Sequence, residues 1–524
     1  MLNRRQFTIA SAITVSVLAL GGRQAFAGPQ QLCRFRLSVD PETLYNVQTM
    51  SLDVSDVLGS YILESLVYLD PQGKAQPWLA DSWEYSEEGK VLTFKLKDGI
   101  VFHDGTPFDA DAVKFHFDAV LDPAKVSPSK AIVGPLEKVE VAGPGAVVFR
   151  FSRPYAPFIN LLAQPYFGFN SPTAVKASGD AYGRHPIGTG PFLFDQWMPG
   201  TRIELKRFDK YQPKRPDATN KALPYAEKIV LNVIAEEGVV TSALLTGELD
   251  AAGITADSAA PLQDNPQFVT ISNEHAKNLM FLEFDYKKPP FNDRAFREAI
   301  SYAIDREAVL AGAFGGHGAI ALSPLSRGIP GYDDAVANKY GTPYDPEKAK
   351  SLLDAIGWHD NNGQREKDGQ PARFTVRSYA DSVTERALAV IQANLADIGI
   401  AVEVSTSDWG TFYPGLLTPD WDMALNRWTW SDPSVLSQLF RSPGHRQLLP
   451  DNPAIDRLLD AADTESDPTK RFSLVSEAQK AILEDRVILP LVTDWPITFV
   501  QSNLSGYHFD YLGFVYSSDF KLEG

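Results

Sequence analysis

The densest group of residues able to hold a small molecule is the run Asn426-Arg427-Trp428-Thr429-Trp430-Ser431-Asp432-Pro433. Indole faces suit sugar rings and other rigid rings, and a guanidinium grips a carboxylate or phosphate through two parallel hydrogen bonds. On a strand, alternation sends Trp428 and Trp430 to one side and Thr429 to the other. Trp409, Tyr413 and Trp421 add aromatic surface nearby in sequence. The same aromatics would serve equally as core, and Asp432 before Pro433 fits a turn cap. The candidate ligand-binding residues are therefore Trp428, Trp430, Arg427, Asn426, Thr429, Trp409, Asp432 and Tyr413.

Reaction chemistry finds no comparable group. There is no G-x-S-x-G elbow and no G-x-x-x-x-G-K-[ST] phosphate loop. Gly188-Thr189-Gly190-Pro191-Phe192 is glycine-rich, but its proline stops the helix that a dinucleotide loop must open, so it reads as a structural turn. The 8 histidines are scattered, with no i, i+4 pair on one helix and no cysteine beside them, which argues against a preassembled zinc site. No carboxylate pair stands out as a general acid and base. The chain reads as a binder with no catalytic residues, metal or cofactor.

Composition narrows the partners. The 524 residues carry a net charge of −17, which repels phosphate backbones and argues against nucleic acid. Arg4-Arg5, an apolar run from Ile9 to Leu20, and Ala25-Phe26-Ala27 follow the order of a secretory signal, 1–27, and the arginine pair suggests twin-arginine export. Its removal takes away three arginines and no acid, so the mature chain is more acidic still. No later stretch approaches the roughly 20 apolar residues a membrane span needs. The single cysteine, Cys33, cannot form an intramolecular disulfide, and Gln30-Gln31-Leu32 before it is no lipid-attachment motif. The expected product is a periplasmic monomer.

The elements that must position these residues alternate between helix and strand. Asp345-Pro346-Glu347 opens a helix with a cap, a first-turn proline and an acid, and Gly357 stops it. Ser382, with Glu385 three residues on, starts a second that ends at Gly399, and Ile400, Val402 and Val404 then alternate as a strand. A third helix is expected over 292–310. Thr93–Leu96 and Val147–Phe151 read as strands. The pattern is α/β with mixed sheets, without internal repeats or a flexible linker, so two lobes would be joined by crossing strands.

Several blocks in order resemble the periplasmic oligopeptide/dipeptide-binding family, extracellular solute-binding protein family 5. They are Pro77–Glu84, Leu92–Gly99, Val101–Phe108, Gly188–Phe192, Phe291–Arg306, and Tyr344–Ala349 with Leu352–Trp358. The resemblance implies a two-lobed periplasmic binding protein fold (type II) with an inserted subdomain and a hinge between lobes. Lobe one would comprise 28–278 and 486–524, with the insertion at about 70–185, and lobe two 279–485. The hinge would lie near 275–284 and 486–495, which makes Asp494 and Trp495 further ligand candidates. The resemblance also implies a partner, an inner-membrane ABC permease that receives a small polar solute. Peptide binders of the family carry an aspartate in W-x-x-D-Y-x-[DE]-P that pairs with the peptide amino terminus; aligned on Asp432-Pro433, that position here is Thr429. A hydroxyl cannot neutralise a buried ammonium. The expected solute is therefore opine-like, sugar-like (phosphorylated sugars included) or a modified peptide. Di- or oligopeptides are the alternative, with a secreted hydrolase, or a metal-chelate carrier using a histidine such as His445, behind them.

Overall fold

Two open mixed sheets organise the chain, which passes between them twice. The computed structural model describes residues 31–523 apart from 126, 274–276, 417, 419–420 and 443–451. The expected export signal at 1–27, His275 and His445 lie outside the described residues. Among those described, no helix is long and apolar enough to cross a membrane.

The first sheet has seven strands in the order Phe268–Ser272, Ile497–Gln501, Ala251–Ile254, Leu32–Leu37, Lys228–Val233, Arg202–Arg207, Phe192–Met198. The strand Leu32–Leu37 is central and runs parallel to both neighbours, while the outer pairs are antiparallel. Its burial alternates, with Cys33, Phe35 and Leu37 in the core. Burial and Asp250 push the Cys33 thiol up to about 12, so it is an inert core residue.

A four-stranded antiparallel sheet, Ala80–Ser86, Val91–Leu96, Ala146–Phe151 and Leu136–Val141, is inserted between the first two strands of this lobe's chain order. The helix Ala110–Leu121 covers it, capped by Asp109. Phe117 meets Phe149 edge-on at 5.0 Å, inside a core that also holds Phe94 and Phe158. The Gly188–Phe192 turn is structural. A Cβ on Gly188 would overlap the Ile62 carbonyl, and one on Gly190 would sit 2.7 Å from it. His103 straps the turn, its ring 3.0 Å from the Gly190 carbonyl.

The second sheet has six strands in the order Gly318–Ile320, Ile488–Asp494, Asn278–Phe284, Met423–Thr429, Arg373–Tyr379, Ala401–Ser407. The chain leaves the first sheet at Ser272 and enters the second at Asn278; it returns between Asp494 and Ile497. Strands Asn278–Phe284 and Ile488–Asp494, placed near the hinge by the sequence reading, lie wholly inside the second sheet and are buried throughout except at Asn278. Among the described residues, 273, 277, 495 and 496 lie between the sheets.

Two helix readings are corrected by capping. The helix expected over 292–310 is two, Arg294–Ala303 and Arg306–Phe314. Ile304 is extended, and the Asp305 carboxylate accepts from the Ala308 amide, so a cap competes with helix continuation there. The helix Ser382–Asp397 is capped by Asp381, which accepts from the Val383 and Thr384 amides, rather than by Ser382. The helix Pro346–Ala355 is capped by Asp345 as expected.

Candidate functional site

A cavity of about 340 Å3 lies where the two sheets, the insertion and the C-terminal tail converge. Leu52 and Asp56 reach it from the first lobe, Gln164 and Tyr166 from the insertion, and Thr429–Ser431 from the end of a second-lobe strand. Lys277, Asn278, Asp494 and Pro496 face it from the crossings, and Tyr511 from the tail. The lobes touch around it. Gln164 donates to the Ser431 hydroxyl at 2.8 Å and Asn160 to Asp432 at 3.2 Å.

The strand Met423–Thr429 carries Arg427 and Thr429 to the cavity. Arg427 is half-buried, and among the described residues its guanidinium makes no hydrogen bond or ion pair. Burial opposes its charge, but Asp494, Tyr379 and Asp381 outweigh burial and hold the group above its ordinary pKa. Asp494 is 7% exposed; its Oδ2 accepts from Asn278 at 3.1 Å, and its Oδ1 is buried with no hydrogen-bond partner. A cation and an anion thus reach one cavity with unused capacity, close enough to feel each other yet not paired.

Thr429 is exposed and donates to the side-chain Oδ1 of Asn278, so the Asn278 side chain links Thr429 to Asp494. The anion that Thr429 lacks stands two hydrogen bonds away. Lys277 donates to the Tyr511 carbonyl at 2.5 Å and lies 3.6 Å over that ring; burial lowers its ammonium to about 8 against the pull of Asp510.

The other sequence candidates separate. Trp430 lines the cavity and packs against the cores of both the second lobe and the insertion. Trp428 lies 6.3 Å from it but packs into the second-lobe core and faces neither this cavity nor its neighbour. Asn426 is 1% exposed and donates to Glu283 at 3.3 Å; the inward face of its strand takes it away from the cleft. Asp432 is fully buried and is not a cavity residue. Arg471 grips it at 2.7 and 3.1 Å, and it accepts from the Ser434 amide at 2.9 Å, so it combines a turn cap with a lobe-to-lobe anchor. Trp409 and Tyr413 belong to the helix Trp409–Gly415, and their side chains lie outside the described set. Among the described residues no group of three His, Cys, Asp or Glu could hold a metal ion.

Over residues 74–447 the sequence matches the bacterial extracellular solute-binding proteins, family 5 (middle). The chain belongs to that family. Family 5 members are solute-binding components of ABC importers, and the cleft between mixed-sheet lobes is the matching architecture. The glutathione-binding protein GsiB of Shigella dysenteriae is 29% identical over 483 residues, 87% of this chain and 88% of that one. Among solved structures, NikA from Brucella suis in complex with Fe(III)-EDTA is 26% identical, with a TM-score of 0.83 over 94% of this chain and 100% of that one. AgaA from A. tumefaciens R10 in complex with agropinic acid is 27% identical, with a TM-score of 0.76 over 94% and 99%. The oligopeptide-binding AppA of Bacillus subtilis, at 23% identity and a TM-score of 0.78 over 95% and 100%, shares the fold.

The residues that line the cavity are spread in sequence from Leu52 to Phe514. Lys277, Asn278, Tyr511 and Gln164 had no local signal. Each is an ordinary residue in an unremarkable segment, made a cavity residue only by the topology. The crossing residue Asp494 was legible once the resemblance supplied a hinge.

Proposed function

We propose that this family 5 protein captures, in the periplasm, an amino-acid-derived solute carrying both an ammonium and a carboxylate, of the opine or modified-peptide type, and delivers it to an inner-membrane ABC permease. The observation that carries this reading is Arg427 and Asp494, both short of partners and both facing one cavity. A zwitterion satisfies both at once. A sugar phosphate would answer Arg427 but bring a second anion to Asp494, and a neutral sugar would leave two desolvated charges unanswered.

Size agrees, since small-molecule sites run from roughly 300 to 1,000 Å3 and this cavity is about 340 Å3. The named ligands of two relatives, glutathione for GsiB and agropinic acid for AgaA, are amino-acid derivatives. A short peptide meets the same charge requirement, with its ammonium answered from residue 494 instead of 429. Cleft closure desolvates the guest and signals occupancy by shape.

The test is a melting screen of the purified protein with opines, glutathione, dipeptides, sugars and sugar phosphates. A bound zwitterion at a hundred times Kd should add about 2.7 kcal/mol of stability. Shifts confined to neutral sugars or phosphates would contradict the reading.

A further inference from the structure

A second cavity, of about 430 Å3, opens on the far side of the Arg427–Asp494 pair. The two share Arg427, Asp494 and Pro496, so the pair stands where the chambers adjoin. The second chamber draws Arg36, Glu237 and Ile254 from the first lobe and Phe314, Val383 and Arg386 from the second. It is built between lobes, as the first is.

Its other charges differ from Arg427 and Asp494, because they are already answered. Arg36 pairs with Glu237 at 2.7 Å and also donates to the Ile234, Ala235 and Gly253 carbonyls. Glu237 accepts in turn from the Thr255 amide at 3.1 Å. Arg386 pairs with Asp257 at 2.7 Å and donates to the Ala313 carbonyl at 3.0 Å. A further charge carried past Arg427 and Asp494 would meet only charges that are already paired. Uncharged polar groups are treated differently. His317 supplies a ring able to donate or accept. Phe314, Val383 and Trp495 supply apolar wall.

We infer that the solute is longer than its charged head: it runs past Arg427 and Asp494 and places an uncharged, hydroxyl- or amide-bearing tail in this second chamber. The inference rests on the zwitterion reading above and narrows it to head-and-tail solutes, as in a sugar-substituted amino acid.

Gly253 provides the test. It lines the chamber, and a Cβ there has no atom nearer than 3.8 Å, so a side chain can start from this position without a clash. The probes are glutamine, N-(1-deoxymannityl)glutamine with its neutral polyol tail, and octopine with its cationic tail. By calorimetry the polyol-tailed probe should bind at least about tenfold more tightly than glutamine, and octopine should show no such gain. Gly253→Leu should erase the gain while leaving glutamine affinity and melting temperature unchanged, with Gly253→Ala between. If glutamine binds but the polyol tail adds nothing, if octopine gains equally, or if Gly253→Leu keeps the gain, the second chamber is refuted and the zwitterion reading stands. If none of the three probes binds, the head-and-tail solute is refuted, and the zwitterion reading falls with it when glutathione and the dipeptides of the melting screen give no shift either.

Discussion

Asn278 and Asp494 pin the two crossings to each other: the Asn278 amide donates to Asp494 Oδ2 at 3.1 Å. Asn278 opens the strand after the first crossing, and Asp494 closes the strand before the second. One hydrogen bond therefore links the two crossings and leaves the other Asp494 oxygen without a hydrogen-bond partner. Under the proposed function, the carboxylate that ties the crossings together is also the one that answers the solute's ammonium.

Asp494→Asn keeps the shape but removes the charge. Affinity for an ammonium-bearing solute should fall by roughly a hundredfold, near 2–3 kcal/mol, as expected for truncating one side of a buried charge pair. Calorimetry on the variant checks it; an unchanged Kd would place the ammonium elsewhere.

Arg427→Met should separate binding from folding. Because the guanidinium has no hydrogen bond or ion pair among the described residues, removing it should leave the melting temperature of the ligand-free protein unchanged or higher. Solute affinity should drop at least about a hundredfold. A fall in melting temperature without loss of affinity would make Arg427 structural.

Asp432→Ala should do the reverse. It strands Arg471, buried and gripping that carboxylate at 2.7 Å, so a loss of about 3–5 kcal/mol of stability is expected. Denaturant unfolding measures it. Gln164 and Ser431 still bridge the lobes, so the folded fraction should retain solute affinity within a few-fold.

Asp463 and Asp56 predict a pH dependence. Burial raises both carboxyls from 3.8 to about 6. Each binds more protons folded than unfolded in that interval, so its contribution is greatest in acid and is lost as pH rises from about 4 to about 6. The difference in melting temperature between Asp463→Asn and the unaltered protein should be small at pH 4, grow to favour the variant, and level off above pH 6. Arg441 keeps Asp460 at 2.9 Å in that variant.

Much of the fold could be read from sequence because local signals and family blocks agreed. The Asp345 cap, the 401–407 strand and the glycines at 188 and 190 each have a local physical cause. The site was less legible. Arg427, Thr429 and Trp430 come from a segment rich in recognisable residues and do reach the cavity. Asn426 and Asp432 share that segment, yet strand pleat and the Arg471 pair turn them inward. Composition cannot distinguish these fates. Alternation grouped Trp428 with Trp430, but the strand ends at Thr429, and only Trp430 opens on the cleft.

The most direct measurement compares one zwitterionic solute with its N-acetyl and carboxamide derivatives by calorimetry on the unaltered protein. The account predicts that the parent binds and that each block weakens it by at least about a hundredfold, the first through Asp494 and the second through Arg427. Equal affinity for parent and blocked forms would contradict it.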